Sequence, residues 1–196
     1  MKKSFKLLLK TSLLISLGPG IQAHADPTIA TGFQQSFELH EITFKVSSTN
    51  NSSLNSLTIQ PAGLETANEP ISIEIDGSVS NAEVADLDNN GFPEIYVFVN
   101  SAGSGSYGSI VAYAVNKGKS LTPIHIAPLS DDPVNSVGYM GHDEFSIVEF
   151  LLIRRFPIYK EGDTNASPSG GTRQLQYHLV EGEAGWVLEF DLALEY

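Results

Sequence analysis

Residues 94–115 read EIYVFVNSAGSGSYGSIVAYAV, and this stretch decides the fold. The runs Glu94 to Asn100 and Ser109 to Val115 are rich in β-branched and aromatic residues, the composition typical of strands. Between them, Ser101–Gly108 carries three glycines and three serines around one tyrosine. The pattern predicts a β-hairpin with a longer loop than a hairpin requires. Because Ile95 to Val99 is apolar on both faces, we expect a central strand or one covered by a partner.

Alternating apolar and polar residues predict further strands along the chain. They lie around Ile42–Val46, Leu57–Ile59 and Ile71–Ile75, and residues 173–193 read as a second hairpin. The segment Asp143 to Arg155 fits a helix or a strand, and no other segment shows a sustained helical period. About eight short strands joined by Gly, Asn, Asp and Pro turns predict an all-β, single-domain antiparallel β-sandwich or flattened barrel.

The first 25 residues have the pattern of a cleaved signal peptide. Four lysines precede the apolar run Leu13–Leu17, Gly18-Pro19-Gly20 follows it, and Ala23-His24-Ala25 supplies small residues for cleavage. The run is too short for a membrane anchor, and with no cysteine the chain has no thiol for a lipid or a disulfide. We therefore expect residues 1–25 to be removed and residues 26–196 to form one periplasmic domain.

The charge balance restricts the class of partner. The formal net charge is −12, and the predicted leader contains no acidic residue, so the domain that follows is more acidic still. This argues against nucleic acid or an anionic membrane as partner. A basic protein partner is favoured, although acidity can also serve solubility alone.

Motifs for enzymatic chemistry are weak. Gly103–Gly108 matches G-x-G-x-x-G, but a strand-like run follows it where a dinucleotide site needs a helix. Ser104 and Ser106 lack the G-x-S-x-G elbow of serine hydrolases. Adjacent residues His142, Asp143 and Glu144 lack metal-ligand spacing and are interpreted as a solvated turn. We predict a protein that is not an enzyme and needs no cofactor.

One acidic segment leaves two interpretations open. Oxygen-bearing side chains stand at its positions 1, 3, 5 and 9: Asp86, Asp88, Asn90 and Glu94. Gly91 follows the EF-hand pattern, but Val97 replaces the bidentate carboxylate at position 12. The segment is either an Asn-Asn-Gly turn that begins a strand or a calcium loop. In the second case the chain would be an exported calcium-binding adhesion or carbohydrate-binding module that uses Asp86–Glu94.

The glycine-rich loop also carries a resemblance. Ser104-Gly105-Ser106-Tyr107 resembles the Ser-Gly-x-Tyr motif of bacterial lysozyme inhibitors. Three longer blocks, Gly138–Phe145, Arg154–Asp163 and Thr172–Tyr177, are similar to the periplasmic inhibitors of invertebrate-type (I-type) lysozyme. The resemblance extends from about Ser80 to Trp186.

The resemblance implies a periplasmic β protein whose loop Ser101–Gly108 inserts into the active-site cleft of a lysozyme and protects peptidoglycan from hydrolysis. A lysozyme cleft offers two carboxyl groups in a site shaped for sugar, and Ser and Tyr hydroxyls can imitate sugar hydroxyls there. Ser104 would hydrogen-bond a catalytic carboxylate, and Tyr107 would add a second hydroxyl and a rigid ring. The remaining loop residues have supporting roles: Gly103, Gly105, Ser106 and Gly108. The partner would be a lysozyme, most simply of the invertebrate type, and the doubly apolar strand leaves room for a homodimer.

Overall fold

The computed structural model describes residues 32–196, so the predicted signal peptide lies outside the described residues. The described part folds into twelve strands and one short 3₁₀ turn, Leu129–Asp131. The strands are β1 Phe33–Leu39, β2 Ile42–Ser48, β3 Leu54–Ala62, β4 Ile71–Asp76, β5 Ser78–Ala85, β6 Glu94–Asn100, β7 Gly108–Asn116, β8 Ser120–Ile126, β9 Glu144–Val148, β10 Leu151–Pro157, β11 Thr172–Gly182 and β12 Gly185–Glu195. In the part of the chain that the structure describes, no helix is long and apolar enough to cross a membrane.

Eight strands form a nearly closed barrel. Their order is β5-β6-β7-β8-β12-β11-β10-β9, and the two end strands approach each other. The backbone N–H of Ile147 on β9 donates to the Glu83 carboxylate on β5, with 3.0 Å between nitrogen and oxygen. Neighbouring strands are antiparallel except β8 and β12, which pair in parallel. This architecture confirms the predicted all-β fold class.

A separate four-stranded sheet, β1-β2-β3-β4, covers one side of the barrel. Its buried residues pack against the outer face of β5, β6 and β7 in a first hydrophobic core, which includes Phe44, Leu57 and Ile59. A second core fills the barrel interior and includes Leu152, Phe156 and Leu175. Burial of apolar surface in both cores stabilises the barrel from inside and outside.

Strand β6 is apolar on both faces because it lies between the two cores. Ile95, Val97 and Val99 face the four-stranded sheet, while Tyr96 and Phe98 face the barrel interior. The prediction of a central strand is therefore confirmed. The covering layer is the chain's own first sheet, so this face gives no reason to expect a homodimer.

The structure also resolves the ambiguous segment Asp143 to Arg155. It forms the hairpin β9–β10, in which Ile153 pairs with Ser146 and Arg155 with Glu144. Three strands lack a clear sequence signal: β1 has few apolar residues, β5 contains a bulge between Val79 and Asn81, and β8 contains Pro123. β1 and β5 each pair with the strand that follows in the chain, and β8 pairs with β7 and, over a long range, with β12.

Candidate functional site

The loop Ser101–Gly108 joins β6 to β7 at one end of the barrel, as the sequence predicts. Its own hydrogen bonds order it. The Ser101 amide donates to the Tyr107 carbonyl at 2.9 Å, and the Tyr107 amide donates back to the Ser101 hydroxyl at 2.9 Å. The Ser106 amide donates to the Gly103 carbonyl at 3.1 Å, and Ser106 has a positive φ of 42°. The loop is a compact turn and not an open strand connection.

The predicted contact residues face outward. Ser104 and Tyr107 are exposed, and 49% of the Tyr107 surface is accessible. Ser104 and Tyr107 form hydrogen bonds through their backbone groups. Within residues 32–196, neither of their hydroxyl groups makes a hydrogen bond. Both hydroxyls therefore remain open to an external acceptor. Ser106 is half-buried.

A second segment, Gly138–Asp143, holds this loop through its backbone. The His142 amide donates to the Gly105 carbonyl at 2.7 Å. A Cβ on Gly141 would lie 2.0 Å from that same carbonyl oxygen, and Gly141 has a φ of +90°. The close approach therefore requires glycine at position 141. From a third segment, the Asn165 side-chain amide donates to the Ser104 carbonyl.

The loop base rests on a buried ionic cluster. The Gly108 amide donates to Asp143 Oδ2 at 2.6 Å, and Arg154 Nε lies 2.7 Å from Asp143 Oδ1. The Tyr139 hydroxyl donates to Asp143 at 2.5 Å and accepts from Arg154 Nη2 at 2.9 Å. We call Tyr139, Asp143 and Arg154 the support cluster. The interpretation of residues 142–144 as a solvated turn is thus wrong for Asp143, which is buried because Arg154 and Gly108 compensate its charge.

The electrostatics of the support cluster agree with its geometry. Burial, with the hydrogen bond to the negative Asp143, raises the pKa of the Tyr139 hydroxyl above its usual range, so Tyr139 remains a neutral donor. Burial alone would lower the pKa of the Arg154 guanidinium, but the Asp143 carboxylate outweighs it and raises that pKa. The Arg154 guanidinium also lies over the rings of Tyr139, Phe145 and Phe156 at 5.2, 5.5 and 5.8 Å from their centroids.

The loop glycines allow neighbouring groups to approach the loop backbone closely, and they are not needed for an unusual φ. None of Gly103, Gly105 and Gly108 has a positive φ. A Cβ on Gly105 would lie 2.6 Å from the Tyr107 ring, and one on Gly108 would lie 2.5 Å from Asp143 Cβ. A Cβ on Gly103 would meet nothing within 4 Å. The buried Asp143 thus requires glycine at position 108, whereas a side chain at position 105 would displace the half-exposed Tyr107 ring and one at position 103 would meet no neighbour.

A cleft of about 790 Å³ lies beside the loop. It is lined by Tyr107 and Gly108 of the loop, by Ile126 to Ser130, and by Tyr139, Phe145 and Arg154. The ring of Tyr107 meets the ring of Tyr139 edge-on, with 5.6 Å between centroids. Sequence reasoning missed the cleft and the support cluster, because their residues are up to 47 positions apart (Tyr107 to Arg154) and meet only through the barrel topology.

The acidic segment is a structured turn. The Asn90 and Gly91 amides donate to Asp86 at 2.9 Å each, and the Phe92 amide donates to the Asn90 side chain at 2.7 Å. Strand β6 begins at Glu94, as the turn interpretation expects. The calcium interpretation stays a prediction.

The same turn does bring three carboxylates together. Oxygens of Asp86, Asp88 and Glu94 lie within 4.8 Å of one another. Glu94 is 1% exposed and accepts a hydrogen bond from the Leu87 amide at 2.8 Å. Burial, together with the neighbouring Asp88 and Asp86 carboxylates, raises the pKa of Glu94 to about 8.

These features define a class of protein: a β-barrel that presents one short, clamped, hydroxyl-bearing loop. Residues 71–138 match the family model described as "Periplasmic lysozyme inhibitor of I-type lysozyme". The matched segment extends from β4 past β8 and includes the loop Ser101–Gly108. The match confirms, over residues 71–138, the resemblance inferred from the sequence. No curated protein and no solved structure matches the chain significantly.

Proposed function

We propose that the protein is a periplasmic inhibitor of I-type lysozyme that inserts Ser101–Gly108 into the active-site cleft of the enzyme. The family match over residues 71–138 supports the inhibitory function and a periplasmic location. The loop-insertion mechanism rests on one observation about the site. Ser104 and Tyr107 are exposed on a loop in which the carbonyl oxygens of residues 103, 104, 105 and 107 already accept hydrogen bonds.

The chemistry of the loop suits the cleft of a glycosidase. Such a cleft contains one protonated and one ionised carboxyl group, so it presents one donor and several acceptors. A hydroxyl can donate to a carboxylate and accept from a carboxylic acid. We propose that Ser104 binds a catalytic carboxylate and that Tyr107 supplies the second hydroxyl. The Tyr107 ring, half exposed in the free protein, would become buried on binding.

The rigidity of the loop favours affinity. Each side chain or loop segment that becomes immobilised on binding costs free energy and so weakens association. Here the ordering cost is largely met during folding, because Gly105, Gly108 and Ser104 are bonded to other segments in the free protein. Like other pre-organised inhibitors, the protein can bind with little backbone movement.

Charge complementarity would assist the encounter. The chain has 23 acidic and 11 basic side chains, a balance that attracts a basic partner and repels acidic ones. We expect this contribution in the association rate, and we expect it to weaken with added salt.

A panel assay tests the proposed function. The purified protein is added to invertebrate-, chicken- and goose-type lysozymes, and lysis of peptidoglycan is followed. We expect strong inhibition of the invertebrate type and weak or no inhibition of the other two. Full activity of every lysozyme at micromolar concentrations of the protein would contradict the proposal.

The same assay separates the rival functions. Turnover of peptidoglycan by the protein alone would indicate a hydrolase. Inhibition that persists in the presence of a chelator would argue against a calcium-dependent binding module.

A further inference from the structure

We propose that Asp143 is a positioning residue for the inhibitory loop, and that it fixes the Tyr107 side chain through Gly108. This inference rests on the proposed function, since it assigns a role to a buried residue that does not itself reach a partner. Asp143 is 6% exposed, and its carboxylate lies behind the loop.

A hydrogen bond to Asp143 holds the base of the loop. The Gly108 amide donates to Asp143 Oδ2 at 2.6 Å, a bond between a backbone N–H and an ionised acceptor. Such bonds are stronger than those between neutral groups. Gly108 is also the first residue of β7, so the bond joins the end of the loop to the start of a barrel strand. Asp143 therefore sets where the loop meets the barrel.

Asp143 is in turn held by two side chains. Arg154, on β10, binds Oδ1 at 2.7 Å, and the Tyr139 hydroxyl binds Oδ2 at 2.5 Å. The pair is desolvated, with side-chain exposures of 7% for Arg154 and 0% for Asp143. Because each oxygen of the carboxylate has a partner of fixed position, the carboxylate has little freedom to rotate or shift.

The support cluster also contacts Tyr107. Tyr107 precedes Gly108, and its ring packs edge-on against the ring of Tyr139 at 5.6 Å. Tyr107 is thus held by the peptide bond to Gly108 on one side and by an aromatic contact on the other, and both lead to Asp143. The orientation of the Tyr107 side chain, which we propose enters the lysozyme cleft, is therefore set before binding.

Glycine at position 108 is a condition of this arrangement. A Cβ there would lie 2.5 Å from Asp143 Cβ and 2.6 Å from the Phe145 ring. Any larger residue would push the loop base away from the carboxylate.

The test compares Asp143→Asn and Tyr139→Phe with wild type. Asparagine keeps the size of the side chain but removes the charge that orients the Gly108 amide. Phenylalanine keeps the ring against Tyr107 and removes only the hydroxyl. Glu195→Gln is the matched control, because it removes one negative charge from the ion pair with Arg173 and does not touch the loop.

Two quantities are measured: the inhibition constant for an I-type lysozyme, and the hydrogen-exchange rate of the Gly108 amide relative to the Val97 amide in the core. For Asp143→Asn we expect Gly108 to exchange faster while Val97 stays protected, and inhibition to weaken about tenfold or more. For Tyr139→Phe we expect a smaller change in the same direction, and for Glu195→Gln no change in either quantity.

Faster exchange at Gly108 with undiminished inhibition would overturn the positioning role. So would weaker inhibition accompanied by equal loss of protection at Val97, which would indicate general destabilisation. Asp143→Asn leaves Arg154 buried without its partner and can prevent folding. In that event Tyr139→Phe decides: unchanged inhibition and unchanged Gly108 exchange would overturn the proposal.

Failure of the proposed function is distinguishable from failure of this inference. If wild-type protein inhibits no lysozyme, the proposed function fails, whatever the exchange data show. If wild type inhibits and the variants inhibit equally well, only the positioning role fails.

Discussion

The His142 amide nitrogen lies 2.7 Å from the Gly105 carbonyl oxygen, so two loops that are far apart in the sequence are joined backbone to backbone. This bond holds Gly105 of the loop Ser101–Gly108 against the segment Gly138–Asp143. It is possible because Gly141 has no side chain on the side that faces Gly105.

Gly141→Ala should therefore displace the loop. The new Cβ would lie 2.0 Å from the Gly105 carbonyl oxygen, and alanine disfavours the φ of +90° at this position. We expect lysozyme inhibition to fall at least tenfold. Gly91→Ala is the control, because Gly91 has a φ of +86° but nothing within 4 Å of an added Cβ. Equal inhibition by both variants would show that the contact between the two loops is not needed.

Removal of the exposed hydroxyls should weaken inhibition without unfolding the protein. We expect Ser104→Ala and Tyr107→Ala each to cost about 1 to 3 kcal/mol of binding free energy, because carboxyl groups in the cleft would lose a partner. Thermal unfolding should change little, since both residues are exposed. Ser53→Ala, in the exposed turn before β3, is a matched control. Full inhibition by Tyr107→Ala would remove that residue from the mechanism.

Tyr107→Phe separates the hydroxyl from the ring. If the hydroxyl contributes, this variant should lie between wild type and Tyr107→Ala in inhibition constant. If the ring alone matters, Tyr107→Phe should inhibit as wild type does.

Two glycines of the loop should behave differently when changed to alanine. At Gly105 a Cβ would lie 2.6 Å from the Tyr107 ring, so Gly105→Ala should alter the free loop and the Tyr107 amide resonance. At Gly103 nothing lies within 4 Å, so Gly103→Ala should leave the free protein unchanged. Any loss of inhibition in Gly103→Ala would then come from the complex, as expected if the loop tip enters a narrow cleft. Equal spectra for the two variants would contradict this division.

Glu94 should make stability depend on pH. Its pKa is raised from 4.5 to about 8 in the folded protein, so the folded state retains a proton that the unfolded state releases. The unfolding free energy contributed by Glu94 is present in full below pH 4.5 and is lost as the pH rises through about 8. Relative to Glu94→Gln, wild type should lose roughly 3 to 5 kcal/mol over this range. Urea titrations of both proteins from pH 4 to 9 would measure it, and parallel curves would contradict the prediction.

Addition of calcium tests whether the turn Asp86–Glu94 binds the ion. An ion bound by Asp86, Asp88 and Glu94 would hold Glu94 ionised and raise the unfolding temperature of wild type above pH 8, but not that of Glu94→Gln. No heat in a calorimetric titration at millimolar calcium would remove the calcium hypothesis.

Local pattern predicts much of this fold. The alternation at Ile71–Ile75 and over residues 173–193 corresponds to β4 and to the hairpin β11–β12, because side chains of a half-buried strand alternate between core and solvent. The doubly apolar run of β6 corresponds to a strand between two cores. The parallel pairing of β8 with β12 was not predictable, since it joins strands about 60 residues apart and rests on only three paired positions.

The candidate site, like the fold, could be predicted from the sequence only in part. Ser104 and Tyr107 are recognisable because a glycine- and serine-rich loop between two strands is locally unusual. Asp143 was misread, because a carboxylate beside His142 and Glu144 has the local pattern of a solvated turn. Its burial follows from Arg154 and Gly108, which reach it only when the barrel closes. Ionic partners that meet through tertiary structure leave no local periodic signal.

The most direct test of the central claim is a crystal structure of the protein bound to an I-type lysozyme. The account predicts that residues 101–108 occupy the sugar-binding cleft, with the Ser104 and Tyr107 hydroxyls within hydrogen-bond distance of the catalytic carboxyl groups. A complex in which this loop faces solvent while another surface contacts the enzyme would contradict it.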